Sequence, residues 1–125
     1  MATIKSFTSL EQSKKLAEIL PLESADMHYC LEQRDIASGY EIGITPYTKA
    51  NRFTGKCNII DVQPSWSLAS LLEVLPYGYS SILTKSFNGK DYYCKIDGKP
   101  FESIADNPVD ACYELIIKLK ELNLL

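Results

Sequence analysis

The chain has 125 residues, a formal net charge of −3, 46% hydrophobic and 23% charged residues. That is the size of one globular domain, residues 1–125, long enough to bury a core without staples. The acidic balance weighs against a protein that grips nucleic acid through overall positive charge, since neutralising phosphates takes an excess of Lys and Arg; a local basic patch stays open.

The first element announces itself in Thr8-Ser9-Leu10-Glu11-Gln12. Two capping boxes overlap there, Thr8 with Glu11 and Ser9 with Gln12. A helix is predicted over 9–20, stopped by Pro21, with Leu10, Leu16, Ala17, Ile19 and Leu20 inward. Glu11, Lys14, Lys15 and Glu18 form its solvated face, Glu11 and Lys15 at a favourable i, i+4 spacing.

Residues 26–47 change period. Met27, Tyr29 and Leu31 alternate with Asp26, His28, Cys30 and Glu32, and Tyr40, Ile42 and Ile44 alternate with Glu41, Gly43 and Thr45. Two period-2 segments predict a hairpin, loosely joined across Ser38-Gly39. Pro46 either ends the second strand or marks it as an edge. Residues 46–58 have no period. Lys49, Arg52 and Lys56 make them the most basic stretch, with Tyr47 and Phe53 interleaved. They read as a surface loop, or more sharply as a contact loop for an anionic partner. Residues 58–62 look like a short strand or an extended lead into the next helix.

At mid-chain Pro64-Ser65-Trp66-Ser67-Leu68-Ala69-Ser70-Leu71-Leu72-Glu73-Val74-Leu75-Pro76 predicts a short buried helix. Ser65 or Ser67 caps it, Leu68, Leu71, Leu72 and Leu75 share a face, and Pro76 ends it. Trp66, the single tryptophan, is expected in the first turn as a core anchor. Tyr77 and Tyr79 around Gly78 make the following loop a place for partner contact. A hairpin follows, 81–87 and 90–96, with Asn88-Gly89 as a type I′ turn. Asp97-Gly98 makes a second turn, and 101–104 a third short strand. Asp106 or Asn107, Pro108 and Asp110 start the last helix. Cys112, Leu115, Ile116, Leu119 and Leu122 form its apolar stripe, and Lys118, Lys120 and Glu121 face water.

These elements sum to an α+β fold: an antiparallel sheet of about four strands in two hairpins, with three helices, in the order α-ββ-loop-α-ββ-α. The start, Met1-Ala2-Thr3-Ile4-Lys5, does not lead into the ~7–15-residue apolar run of a signal peptide. No segment approaches the ~18 apolar residues of a membrane span. A cytoplasmic protein is expected, and the widely spaced Cys30, Cys57, Cys94 and Cys112 are read as reduced thiols, Cys112 as a core thiol.

Chemistry is sparse. His28 is the single histidine, and with Cys30 it shares one strand face, but a zinc site needs about four ligands and no others fall at a credible spacing. As a nucleophile pair the two stand about 7 Å apart, too far for a direct hydrogen bond. No glycine-rich phosphate loop or nucleophile elbow is present. No metal, no cofactor and no catalytic residue is expected.

Two resemblances add to this. The W-S-L-x-x-L-L-x-x-L-P wording of 66–76, with Ala105-Asp106-Asn107-Pro108-Val109-Asp110-Ala111, resembles a group of small proteins encoded in prophages and other mobile elements of gut anaerobic bacteria. That group has no assigned activity, so the resemblance implies an origin and no site residues. The C-terminal hairpin followed by Ile104-Ala105-Asp106-Asn107-Pro108-Val109-Asp110-Ala111 and an apolar helix is similar to the end of HicB-like antitoxins. This second resemblance implies a partly degraded double-stranded-RNA-binding fold that blocks a toxin. The chain departs from that pattern in its leading helix, its Trp66 helix and its lack of a separate DNA-binding tail.

The reading that results is a small non-catalytic binding or accessory protein of a mobile element. Its partner is expected to be another protein, touched through Tyr77, Tyr79, Lys49 and Arg52. The first alternative is an antitoxin-like or nucleic-acid-linked regulator, which requires Lys49, Arg52, Lys56 and Lys90 on one face. The second is a small-molecule enzyme, which requires a polar-lined pocket around His28 or Trp66.

Overall fold

Ser9 decides where the chain first becomes helical. In the computed structural model, which describes residues 5–48, 62–76 and 80–125, its hydroxyl accepts from the Gln12 N–H at 3.2 Å. The Gln12 side chain accepts from the Ser9 N–H at 3.0 Å. Of the two overlapping capping boxes, this one forms, and helix α1 runs Leu10–Ile19. Its contacts divide the chain into two compact units, residues 9–66 and residues 1–8 with 67–125. Each is described in turn.

In the unit of 9–66, α1 buries Ser13, Leu16 and Leu20. The Ser13 hydroxyl donates to the Ser9 carbonyl at 2.6 Å, so a polar residue is carried inward at little cost. Beyond Pro21 a 3-10 turn, Leu22–Ser24, appears where none is predicted. It presents the Ser24 hydroxyl, which accepts from Trp66 Nε1 at 3.0 Å. Strands β1 (Met27–Ile36), β2 (Gly39–Thr48) and β3 (Val62–Ser65) form an antiparallel sheet in the order β2-β1-β3. Ile36 pairs with Gly39, so only Ala37 and Ser38 lie between the strands and the connection is tighter than the sequence suggests. Gly39 has φ +136°, a backbone open to glycine and costly for other residues. β2 runs through Pro46, which costs no ladder bond on an edge strand. Helix α1 packs against β3, and Gln63 Nε2 donates to the Ser13 carbonyl at 3.3 Å.

The first four residues of β1 show which of the two alternating sets lies inward. His28 and Cys30 are buried, whereas Met27 and Tyr29 are half-buried. The pleat permits one set inside, and cysteine buries as readily as any aliphatic residue. Cys30 is disulfide-bonded, which corrects the reading of all four cysteines as reduced thiols; Cys94 and Cys112 are free.

In the second unit, Phe7 bridges Ser67 and the Ser6 carbonyl accepts from the Leu68 N–H at 3.2 Å. Helix α2 spans Leu68–Glu73 with Ser67 as its cap, accepting from the Ser70 N–H at 3.3 Å. Trp66 therefore precedes the helix and is not in its first turn, though it is wholly buried. Leu71 and Leu75 are buried; Leu72, expected beside them, is partly exposed. Strands β4 (Ser81–Lys85), β5 (Tyr92–Ile96) and β6 (Glu102–Ala105) form an antiparallel meander.

The β4–β5 connection departs from the expected type I′ turn, which needs positive φ at both central residues. Asn88 lacks it; among the described residues Asn123 is the single non-glycine with positive φ. The Gly89 N–H donates to the Ser86 carbonyl at 3.0 Å, placing Phe87 and Asn88 at the centre of a turn within a wider connection. The Asn88 side chain accepts from the Lys90 N–H at 2.9 Å. Asp97-Gly98 turns as predicted, with Gly98 at φ +73°.

Helix α3 spans Pro108–Glu121. Asn107 caps it, accepting from the Asp110 N–H at 2.8 Å. Val109, Ala111, Cys112, Leu115, Ile116 and Leu119 are buried, and the helix packs on β5 and β6. Each Leu or Ile so buried contributes about 1.5–3 kcal/mol, so this stripe dominates the unit. The fold is α+β as read, with two three-stranded antiparallel sheets in place of one sheet of four strands. Beyond the two hairpins, β6 matches the short strand expected at 101–104, and β3 lies at 62–65, just after the one expected at 58–62.

Candidate protein-binding cleft

The end of α3 builds the most distinctive surface of its unit. Leu122 is the last residue near helical geometry, and Asn123 follows in the left-handed region at φ +56°. The Leu124 N–H then donates to the Leu119 carbonyl at 2.9 Å, and the Asn123 N–H to the Lys120 carbonyl at 3.0 Å. This is a Schellman ending with asparagine where glycine is usual. Such an ending sets the residue after the turn against the helix's last buried position, here Leu124 against Leu119. It also explains why Leu122, expected in the apolar stripe, is 55% exposed: the helix stops before completing that turn.

Leu119 and Leu124 form one wall of a cleft of about 270 Å³, completed by Pro76, Ile96, Lys99 and Phe101. Ile96 ends β5; the Asp97-Gly98 turn delivers Lys99 and Phe101, and the Ile96 N–H donates to the Phe101 carbonyl at 3.1 Å. Lys99 is the single ionisable side chain among the described lining residues. A second hollow of about 310 Å³ shares Phe101 and adds Pro100, Glu102, Lys118, Glu121 and Leu122. There Lys118 Nζ donates to the Glu102 carbonyl at 2.8 Å. Small-molecule sites run roughly 300–1,000 Å³ and converge several polar groups on the ligand. The first cleft falls below that range and is almost wholly apolar, which suits a single bulky side chain better than a metabolite.

The residues singled out from sequence fare differently. Tyr77 and Tyr79 lie outside the described residues, as do Lys49, Arg52 and the rest of the basic stretch from residue 49 onward. Lys90 is described and exposed. His28 stacks on Tyr47, its register partner across the sheet, with ring centroids 6.1 Å apart. Trp66 is tied to Ser24 and acts as the core anchor expected of it. Among the described residues no three of His, Cys, Asp or Glu are grouped to hold a metal ion.

Sequence reasoning missed the cleft because its lining comes from four separated places: 76, 96–101, 119 and 124. The one local signal was Asn123 between two leucines just past a helix end. It also missed a pair of thiols. Cys94 Sγ and Cys112 Sγ lie 3.4 Å apart, both wholly buried. The Cys112 thiol donates to Cys94 and holds that thiol below its ordinary range. The same hydrogen bond, and then burial, push Cys112 upward.

Comparison with protein-family models, curated proteins and solved structures finds no match for this chain. None of the described helices is long and apolar enough to cross a membrane.

Proposed function

We propose that this chain is a small non-catalytic binding protein of a mobile element, acting on another protein. The carrying observation is the cleft walled by Leu119, Leu124, Phe101 and Ile96. Its volume and apolar lining favour one large aliphatic or aromatic side chain of a partner. Leu124, 47% exposed, is the part of the wall a partner would cover. Tyr77, Tyr79, Lys49 and Arg52 stay in the proposal as further contact residues. The mobile-element origin rests on the wording of 66–76 and 105–111. A cytoplasmic location belongs to the proposal too, and the Cys30 disulfide is the observation that weighs against it.

The test is affinity capture of the tagged chain from its native cell, with and without nuclease. One stoichiometric protein that survives nuclease supports the reading and names the process. Recovery that disappears with nuclease contradicts it and favours a nucleic-acid-linked regulator.

A further inference from the structure

We propose that Cys94 and Cys112 are a redox-active dithiol, closed to an intrachain disulfide by a small hydroperoxide. The site stands apart from the cleft and does not depend on the reading of that cleft. Three observations carry it. The two sulfurs face each other at 3.4 Å, already in contact, from β5 and from α3, which pack together. A disulfide needs about 2.05 Å between sulfurs, a gap that small rotations of two side chains can close. Both thiols are wholly buried, so a bulky disulfide reagent has no approach, whereas hydrogen peroxide, hardly larger than water, needs only a small local opening to reach them. Ser103 sits directly across from Cys94 in the β5–β6 register. Its hydroxyl is buried and has no hydrogen-bond partner among the described residues. Residues so paired stand about 4.5–5.5 Å apart at Cβ, which leaves that hydroxyl beside the reacting sulfur as a donor for a sulfenate oxygen.

The asymmetry of the pair sets the order of events. Cys94 accepts the hydrogen bond and is the thiol that ionises first. Its thiolate attacks a peroxide oxygen; an S–O bond forms, the O–O bond breaks, and the departing alkoxide or hydroxide takes up the proton Cys94 released. Cys94 is now a sulfenic acid. Cys112 sulfur then attacks Cys94 sulfur; the S–S bond forms, the S–O bond breaks, and hydroxide leaves with the Cys112 proton as water. In sum two thiols and one hydroperoxide give one disulfide, one alcohol and one water. With hydrogen peroxide the products are the disulfide and two waters. The bond joins the middle strand of the sheet to the helix that covers it.

The experiment uses the full chain, purified without reductant so that the Cys30 disulfide persists. After treatment with hydrogen peroxide the protein is unfolded in alkylating reagent, digested and mapped by mass spectrometry. The expected result is that Cys94 and Cys112 are both alkylated before treatment and neither after, with their two peptides joined and released again by a thiol. Both cysteines still alkylated, or oxidised separately to sulfinic acids, overturns the proposal. The Cys112→Ala chain, trapped with dimedone, should carry the adduct on Cys94, while Cys94→Ala should leave Cys112 unlabelled. Labelling of Cys112 alone overturns the assigned order.

Discussion

Residues 9–66 and residues 67–125 each fold a three-stranded antiparallel sheet whose middle strand carries a wholly buried cysteine, Cys30 in one and Cys94 in the other. The means of support differ. The first unit pairs two ten-residue strands, brings a third back from a distance, and among the residues whose burial is described buries His28, Ser13 and Ser65 beside Leu16, Leu20 and Trp66. One of its cysteines is in a disulfide. The second unit is a meander of short strands under α3, whose apolar stripe is close to continuous. The first therefore leans on long-range pairing and a covalent bond, the second on local contacts and apolar burial. Local contacts also form faster, so the second unit is the natural place for folding to begin.

Two core truncations give the largest test of that contrast. Trp66→Ala removes the largest wholly buried side chain and should destabilise by about 3–5 kcal/mol; Leu115→Ala, in the α3 stripe, by about 2–5 kcal/mol. Urea unfolding followed by circular dichroism reads both. A chain of this length that behaves as one domain shows a single transition, moved by either substitution. Two transitions, each moved by one substitution only, would make the units separate folding bodies. Next come the caps. Asn107→Ala and Ser9→Ala each lose a side-chain bond to a free helical N–H and should each cost about 1 kcal/mol in the same assay. A null effect for Ser9→Ala alone would show that α1 is held by tertiary contacts rather than its box.

A smaller effect is expected at Lys5, whose ammonium meets Asp110 at 2.7 Å with both side chains partly exposed. A double-mutant cycle of Lys5→Met and Asp110→Asn should give a coupling below about 1 kcal/mol that fades with added salt. The smallest effect lies at high pH, where each unit has a described tyrosine with a raised pKa. Burial raises Tyr29; burial, then the charges of Glu114 and Asp110, raise Tyr113. Each phenol therefore loses its proton more readily unfolded than folded. The stability they lend is complete below their ordinary value of 10.0 and is lost as pH rises beyond it. Tyr113→Phe should flatten part of that alkaline decline and leave neutral stability nearly unchanged.

How much could be read in advance divides along the same line. Both main helices were legible because their signals are local: Ser9-x-x-Gln12 at one start, Asn107-Pro108 at the other, and an apolar stripe between. The first hairpin was legible from its period and the second from Asn88-Gly89. The errors lie where another force overrode the local one. Asn88-Gly89 carries the residues of a type I′ turn, yet the Ser86 and Asn88 side chains hold a wider connection. On β1 the alternation alone left the inward set open, and it is His28 and Cys30 that are buried there, with Met27 and Tyr29 half-buried. Little of the cleft was legible, because Pro76, Ile96, Phe101 and Leu124 meet only after the sheet and α3 have formed. Nothing in the spacing of Cys94 and Cys112 announces that a strand and a helix bring them into contact.

The central claim is that the cleft at the end of α3 is where a partner protein binds. Its most direct test is calorimetric titration of the captured partner against three chains: wild type, Leu124→Glu and Leu22→Glu. Leu124 and Leu22 are similarly exposed, one on the cleft and one on the 3-10 turn of the other unit, so both substitutions are compatible with folding. The account predicts at least a tenfold loss of affinity for Leu124→Glu and unchanged affinity for Leu22→Glu. Equal affinity for all three chains would contradict it.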